Sequence, residues 1–198
     1  RVVMGPERRS RVSSPEEKKK VAYHEAGHAL LFHSLEHTNP VHKITIVSRG
    51  RAGGYVMPLP SGDSFLKSRE QFEDDIAAAM GGRAAEEIIY NQFTTGASND
   101  LQQATRMARA MVTQFGMSEA LGPRAYGSGQ GAVFLGREIS EQRDYSEHYA
   151  EQIDNEVKRI LQTAYQRAKN ILTENREKME ELVDILIERE TLTAEEFV

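Results

Sequence analysis

Two histidines and one glutamate near the start of the chain have the types and spacing needed for metal chemistry. Residues 24–28 read H-E-x-x-H, within a segment whose pattern predicts a helix. Four residues make just over one helical turn, so His24 and His28 point the same way from adjacent turns and can hold one zinc ion. Glu25 projects beside them, where it can reach a water molecule that the zinc binds. The spacing therefore predicts a zinc hydrolase that cuts peptide bonds.

The helix that carries this motif has a well-marked start. Ser14 can be the N-cap, Pro15 suits the first turn, and Glu17 completes a capping box. We expect the helix to run to about Glu36. Its apolar stripe comprises Val21, His24, His28, Leu31 and Leu35. Because the histidines share that stripe, they face an interior or a cleft, where a metal can satisfy them. The alternative is an ordinary amphipathic helix with two surface histidines.

A catalytic zinc ion normally has three protein ligands and one open position, so a third ligand is needed. The metzincin spacing would require glycine at position 31 and histidine at position 34, where this chain has Leu31 and Ser34. The chain contains no cysteine, which excludes a thiolate ligand. The nearby histidines point to another face or lie at or beyond the helix end; they are His33, His37 and His42.

A downstream carboxylate is the better third ligand. The candidates are Glu86, Glu87 and Asp100. The two glutamates follow a Gly81-Gly82 pair, and Asp100 falls in the first turn of a later helix, where a carboxylate also suits the helix dipole. Sequence spacing leaves the choice among the three open.

The remaining elements are predicted to be helices with a small β component. The residues at 41–47 and 55–57 favour short strands, joined by a connection that contains Gly53-Gly54. A second helix starts at Ser68 and continues through Gly81-Gly82, which indicates close helix packing or a kink. A third helix is capped by Ser98 or Asn99.

The C-terminal third of the chain is almost continuously helical by pattern. Residues 145–190 favour two long helices with a break at Thr173-Glu174, and Thr193 with Glu196 forms a capping box for a further helix.

Composition limits the classes of function. A chain of 198 residues with 39% hydrophobic residues can bury a real core. The net charge of −5 gives no general reason to expect nucleic-acid binding, and no run of 18 apolar residues predicts a membrane span. Because the first residue is Arg1 rather than methionine, we expect the chain to be part of a longer protein.

Four segments resemble the peptidase domain of the FtsH family, the membrane-anchored AAA+ zinc proteases. They are residues 4–8 (MGPER), 22–29 (AYHEAGHA), 81–87 (GGRAAEE) and 95–101 (TGASNDL), and residues 117–123 also fit. The resemblance covers nearly the whole chain in the family's order. It implies that His24, His28 and Asp100 bind zinc and that Glu25 is the general base. It also implies that Glu86 holds a histidine ligand in orientation.

From these observations we expect a mainly α zinc-metalloprotease domain with a small β element near the active site and a long C-terminal helical hairpin. Residues 1–13 are expected to be a linker from a missing AAA+ ATPase domain, and residues 14–198 the peptidase domain. Polypeptide substrates are expected to bind in extended form along Gly53, Gly54, Tyr55 and Val56 by strand addition.

The resemblance also implies cofactors, partners and location. We expect one Zn²⁺ per chain, with ATP bound only in the missing ATPase domain. The full-length protein is expected to be a homohexamer on the cytoplasmic side of the bacterial inner membrane, or in an organellar membrane, and to degrade unfolded, misassembled and regulatory proteins. Membrane contact would come only from transmembrane helices outside this chain. Two other classes stay open: a module whose main role is assembly, and a zinc hydrolase that is not a protease.

Overall fold

The computed structural model describes residues 14–49, 52–60, 62, 65–127 and 143–197. Helices form most of this part of the chain: α1 (Pro15–Ser34), α2 (Arg69–Ala79), α3 (Gly81–Tyr90), α4 (Ser98–Thr113), α5 (Glu147–Glu174), α6 (Arg176–Arg189) and the short α7 (Ala194–Phe197). Three strands, β1 (Val41–Thr45), β2 (Tyr55–Pro58) and β3 (Thr191–Thr193), make one small sheet. The predicted mainly α fold is confirmed. The predicted linker at residues 1–13 lies outside the described residues.

Helix α1 is the central element of the fold. The Ser14 side chain accepts a hydrogen bond from the backbone N–H of Glu17, and Pro15 occupies the first turn, as predicted. Every residue from 22 to 31 is buried, because α1 packs against α2, α3, α5, α6 and the sheet. The helix ends at Ser34, two residues before the predicted end. The histidine motif therefore lies inside the molecule.

The second helix of the prediction is two helices in the structure. Ser68 and Gln71 form the predicted capping box at the start of α2, but the chain breaks at Met80 before α3 begins at Gly81. Because of this break, α3 changes direction and packs closely against α1 where Gly81 meets Gly27. A Cβ atom on Gly81 would lie 2.7 Å from the Gly27 carbonyl oxygen, and a Cβ atom on Gly27 would lie 2.8 Å from the Ala85 Cβ. The glycine pair thus gives both the close packing and the change of direction.

The sheet has the order β2-β1-β3 and is antiparallel throughout. Ile44 pairs with Val56 on one side and with Leu192 on the other. Strand β3 was not predicted, because β1, the strand with which it pairs, lies far away along the chain. The side chain of Glu196 accepts a hydrogen bond from the backbone N–H of Thr193, in keeping with the helix start predicted there.

The two C-terminal helices confirm the predicted hairpin, with the break at Asn175 rather than at 173–174. Helix α5 packs against α2, α3 and α4, and α6 packs against α1. An ion pair between a buried Asp74 and a partly exposed Arg167 ties α5 to α2: Arg167 Nη1 lies 2.7 Å from Asp74 Oδ1, while Asp74 Oδ2 accepts from the backbone N–H of His37. The largest fully buried side chains include Leu31, Ile44, Ile76, Met111, Ile153, Leu172, Met179 and Leu186. Within the described ranges, no helix is long and apolar enough to cross a membrane.

Candidate metal centre

The two histidines of α1 present their rings to the same point. His24 and His28 are both buried, and their ring centroids lie 4.8 Å apart. Their Nε2 atoms are separated by 3.1 Å. This is the arrangement that the four-residue spacing predicts, since adjacent turns of one helix face carry both side chains.

Asp100 reaches the same point from the first turn of α4. Its Oδ2 atom lies 3.2 Å from the Nε2 atom of each histidine. A 3₁₀ turn at Thr95–Ala97 leads directly into α4 and aims this first turn at α1. No side chain caps α4, so the predicted capping by Ser98 or Asn99 is wrong. The donor atoms of His24, His28 and Asp100 form a group whose members all lie within 4.8 Å of one another.

The outer nitrogen of each ring has an acceptor of its own. His28 Nδ1 lies 2.8 Å from the carbonyl oxygen of Ala78, and His24 Nδ1 lies 3.3 Å from Glu86 Oε1. Ala78 is in the last turn of α2, so the His28 ring meets a carbonyl group at the helix end, next to the break at Met80. In the neutral tautomer that donates outward from Nδ1, each ring keeps its Nε2 lone pair for a cation beside the Asp100 carboxylate.

In this neutral tautomer the two Nε2 atoms and Asp100 Oδ2, which lie 3.1–3.2 Å from one another, repel unless a cation lies between them, and this set of ligand atoms fits zinc. Tetrahedral coordination with bonds of about 2.1 Å places neighbouring ligand atoms about 3.4 Å apart, close to the separations observed. Two imidazoles and one carboxylate are also ligand types that zinc takes in catalytic sites.

The charges of the site favour a cation at the same point. Burial lowers the pKa of the His24 imidazole, but its hydrogen bonds to Asp100 and Glu86 outweigh burial and raise that pKa to about 10. Burial raises the pKa of Asp100, but the two histidines hold it well below its usual range. The group therefore retains an ionised carboxylate and stabilises positive charge beside it.

Glu86 connects the metal group to the loop after α3. Its side chain is almost fully buried, and Thr94 donates to it from both its hydroxyl group and its backbone N–H. Burial raises the pKa of Glu86, but the hydrogen bonds from His24 and Thr94 lower it overall. Glu86 is therefore an ionised acceptor for the His24 ring, not a member of the group of three.

Glu25 lies beside the histidines without joining them. It is 6% exposed, and its carboxyl group makes no hydrogen bond with any residue that the structure describes. Burial raises the pKa of Glu25, while the neighbouring histidines lower it in part. An unengaged carboxyl group with a raised pKa is a suitable proton acceptor.

The predicted substrate-binding residues lie next to Glu25. A Cβ atom on Gly54 would come within 3.0 Å of Glu25 Cγ and 2.6 Å of the Thr45 carbonyl oxygen, while Gly53 faces Val21. Tyr55 is buried and Val56 is half-buried in β2, which lies at one edge of the sheet. The structure thus brings this edge to the site, and substrate binding along it stays a prediction.

The other candidate ligands lie elsewhere. The ring of His33 contacts Phe197, and His37 and His42 lie after the end of α1. Glu87 accepts hydrogen bonds from Tyr165 and Lys169 of α5.

Sequence reasoning missed two contributors to the site, Thr94 and the carbonyl group of Ala78. The Gly81-Gly82 pair and the Thr-Thr-Gly loop were visible in the sequence. No sequence feature marks a single backbone carbonyl.

Comparison with known proteins gives a family match that covers nearly the whole chain. The profile of peptidase family M41 matches residues 11–198. A protein of Conexibacter woesei named ATP-dependent zinc metalloprotease FtsH 1 is 53% identical over 197 residues, which are 100% of this chain and 30% of the relative. The protein of the same name from Sphaerobacter thermophilus is 50% identical over 99% of this chain and 30% of its own length. ATP-dependent zinc metalloprotease FtsH of Bacillus subtilis is 49% identical over 99% of this chain and 31% of its own length. The chain spans about a third of the length of these curated relatives.

Proposed function

The chain belongs to peptidase family M41 as an FtsH-type peptidase domain, and on this premise we propose that it hydrolyses peptide bonds at the site formed by α1 and α4. It is a zinc metallopeptidase domain. The observation that supports the location is the convergence of three donor atoms, from His24, His28 and Asp100, on one point beside the unengaged Glu25. In this proposal these three residues hold one zinc ion per chain.

Each residue of the site has a separate task. Zinc, when bound, supplies a Lewis acid that polarises the scissile carbonyl group and makes a water molecule more acidic. The Glu25 carboxylate takes a proton from the attacking water and later passes it to the leaving amine nitrogen. Its burial serves this step, because a carboxylate whose pKa is raised is a stronger base at neutral pH.

Two hydrogen bonds fix the imidazoles in the tautomer that ligation needs. Glu86 accepts from His24 Nδ1, and the carbonyl oxygen of Ala78 accepts from His28 Nδ1. Each ring then keeps its Nε2 lone pair for the metal and cannot rotate without losing a buried hydrogen bond.

We propose that substrates bind as extended chains along the outer edge of β2. One side of β2 pairs with β1, and among the described residues nothing pairs with the other side. A peptide that adds there as a strand would pass Gly54, where the absence of a side chain lets the peptide backbone approach Glu25 closely. Main-chain hydrogen bonding of this kind suits many sequences, as a degradative protease requires.

For the longer protein we propose the architecture that the resemblance implies. The relatives are named ATP-dependent, so ATP would be bound by a domain outside this chain and used to deliver substrates to the site. A homohexamer anchored on the cytoplasmic side of a bacterial membrane would place several such sites around one chamber. Its substrates would be unfolded, misassembled and regulatory proteins.

The test of the function is Glu25→Gln, which keeps the shape of the side chain but cannot accept the proton. We expect cleavage of an unfolded protein such as casein to fall at least about a hundredfold, with zinc content and helical circular dichroism unchanged. Chelation of the metal should stop wild-type cleavage, and added zinc should restore it.

Glu36→Gln is the matched control, because Glu36 is exposed just after α1 and should leave turnover unchanged. Near-normal cleavage by the Glu25→Gln variant would remove Glu25 from the mechanism. A wild-type chain that binds zinc but cleaves no unfolded protein would favour an assembly module or a zinc hydrolase of another kind.

A further inference from the structure

Thr94 holds the carboxylate that orients His24. Its hydroxyl oxygen lies 2.5 Å from Glu86 Oε1, and its backbone nitrogen lies 3.2 Å from Glu86 Oε2. Both oxygens of Glu86 are therefore engaged by one residue. Since Glu86 Oε1 also accepts from His24 Nδ1, Thr94 is one hydrogen bond removed from a candidate metal ligand.

The hydroxyl proton of Thr94 has only one direction available. The backbone N–H of Gly96 donates to the Thr94 oxygen at 3.2 Å, so that oxygen acts as the acceptor on this side. The single O–H bond of the threonine is then left to donate to Glu86. A donor and an acceptor linked in series in this way polarise one another and hold the Glu86 carboxylate in one orientation.

The same hydrogen bond ties Glu86 to the segment that delivers Asp100. Thr94 caps the 3₁₀ turn at Thr95–Ala97, and that turn runs without interruption into α4, whose first turn contains Asp100. The contacts of one threonine therefore reach the site by two routes. One route passes through Glu86 to the ring of His24, and the other passes through the 3₁₀ turn to Asp100.

We propose that Thr94 is a positioning residue of the metal centre: its hydroxyl group, acting through Glu86, fixes the His24 ring so that the two histidines and Asp100 converge before any metal arrives. This inference rests on the proposed zinc site, and it assigns to an exposed loop residue a share of the affinity for the metal. The hydrogen bonds of the Thr94 hydroxyl group go to Glu86 and Gly96, and none joins it to His24, His28 or Asp100 in the described part of the chain.

The test compares zinc affinity among variants of the 198-residue chain, measured by competition with a chelator of known affinity. Thr94→Val removes the hydroxyl group with almost no change of shape, and we expect the zinc dissociation constant to rise about tenfold. Thr94→Ala removes the same group without adding bulk and should give the same rise. Thr94→Ser keeps the hydroxyl group and should restore wild-type affinity.

Thr95→Val is the matched control. Thr95 is the exposed neighbour of Thr94, and its side chain makes no hydrogen bond with any residue in the described part of the chain. Its replacement should leave the dissociation constant unchanged. A tenfold loss in this control as well would mean that the loop is merely intolerant of valine, and the inference would fail.

A double-mutant cycle with Glu86→Gln tests the route of action. If Thr94 acts through Glu86, adding Thr94→Val to Glu86→Gln should change zinc affinity by less than about twofold, since coupled residues are not additive. A further full loss would show that Thr94 acts independently of Glu86 and would overturn the proposal. Unchanged affinity in Thr94→Val, with normal zinc binding by the wild-type chain, would overturn it too. Failure of the wild-type chain to bind zinc would instead contradict the proposed function.

Discussion

At the scale of single residues, Gly82 is the position where the metal site tolerates least change. A Cβ atom there would overlap the His24 imidazole, including its Nε2 atom, and would lie 2.6 Å from its Cδ2 atom. The ring must move if the position carries any side chain. Because Nε2 is the atom that faces His28 and Asp100, a shift of the ring separates the three donors.

We therefore predict that Gly82→Ala lowers zinc affinity at least about tenfold although alanine is the better helix former. Zinc content after gel filtration measures the first effect, and thermal unfolding followed by circular dichroism shows whether the fold is kept. Gly62→Ala is the control, since a Cβ atom at Gly62 meets nothing within 4 Å. A Gly82→Ala protein with full zinc content would mean that His24 can bind from another rotamer.

Asp100 is the residue whose role most needs a direct test. Asp100→Ala removes the only carboxylate in the group of three donors found among the described residues, so we predict that zinc content falls well below one ion per chain. Asn99→Ala, an exposed neighbour in the same helical turn, should retain its zinc. If Asp100→Ala binds zinc as the wild type does, another carboxylate is the ligand, and Glu86 is the nearest candidate.

At the scale of elements, a charged cluster joins α3 to α5. Glu87 accepts from the hydroxyl group of Tyr165, and Lys169 Nζ lies 3.0 Å from Glu87 Oε1. The hydrogen bond from Tyr165 lowers the pKa of Glu87 below its ordinary value of 4.5; burial opposes this shift, and Lys169 adds to it. The ionised carboxylate is thus the form that holds the two helices together.

This shift sets the sign of a pH effect. A carboxylate with a lowered pKa in the folded state stabilises fully above its unfolded pKa and loses that contribution as the pH falls through the folded pKa. We predict that wild type exceeds Glu87→Gln in free energy of unfolding by roughly 1 kcal/mol at pH 7, a modest figure because the pair is partly exposed. The difference should shrink as the pH falls below 4.5.

Urea unfolding of both proteins between pH 7 and pH 3 measures this difference. Glu151→Gln is the control on α5, because Glu151 is exposed and makes no ion pair within the described residues. If the difference in free energy of unfolding between wild type and Glu87→Gln stays constant with pH, the ionised Glu87 carboxylate is not its cause.

The elements differ in how far the sequence predicts them, and the reason is the range of the interactions. The starts of α1 and α2 depend on Ser14 and Ser68, which bond to backbone groups three residues away, so local pattern was sufficient. Strand β3 depends on β1, nearly 150 residues earlier, and its own sequence indicates a helix start instead. The Gly81-Gly82 pair indicates close packing or a kink near residue 81, but local pattern does not choose between them, and in the structure both occur where α3 packs on α1.

The site residues also divide into those that local sequence pattern predicts and those that tertiary contacts position. The H-E-x-x-H spacing is enough to place His24 and His28 together, because one helix positions both. The choice among Glu86, Glu87 and Asp100 could not be made from spacing, because α3 and α4 approach α1 through tertiary contacts. The family resemblance supplied the assignment for Asp100 and Glu86. In the structure Asp100 lies against both histidines, Glu86 lies against His24 Nδ1, and Glu87 contacts α5 instead.

At the scale of the whole molecule, the proposed peptidase site lies in a sequence that contains no G-x-x-x-x-G-K-[ST] phosphate loop. We predict that this chain cleaves casein without ATP and leaves a tightly folded protein of similar length intact. Gel assays of both substrates, with and without ATP, measure the outcome, and a destabilised variant of the folded substrate is the control that should be cut. Equal cleavage rates for casein and the stable protein, or stimulation of cleavage by ATP, would contradict the prediction that this chain cuts only unfolded substrates and does so without ATP.

The position of β3 at the far end of the chain has a consequence for the order of events during synthesis. The backbone N–H of Ile46 bonds to the carbonyl of Glu190, and Thr45 pairs with Thr191, so the part of β1 that supports Gly54 against Glu25 is completed only by these late residues. About 90 residues separate Asp100 from Thr191, which takes a ribosome on the order of ten seconds to translate. The nascent chain therefore contains all three proposed zinc ligands well before the sheet beside them can close. The sheet beside the candidate metal site is therefore complete only after residues 190–193 have been synthesised.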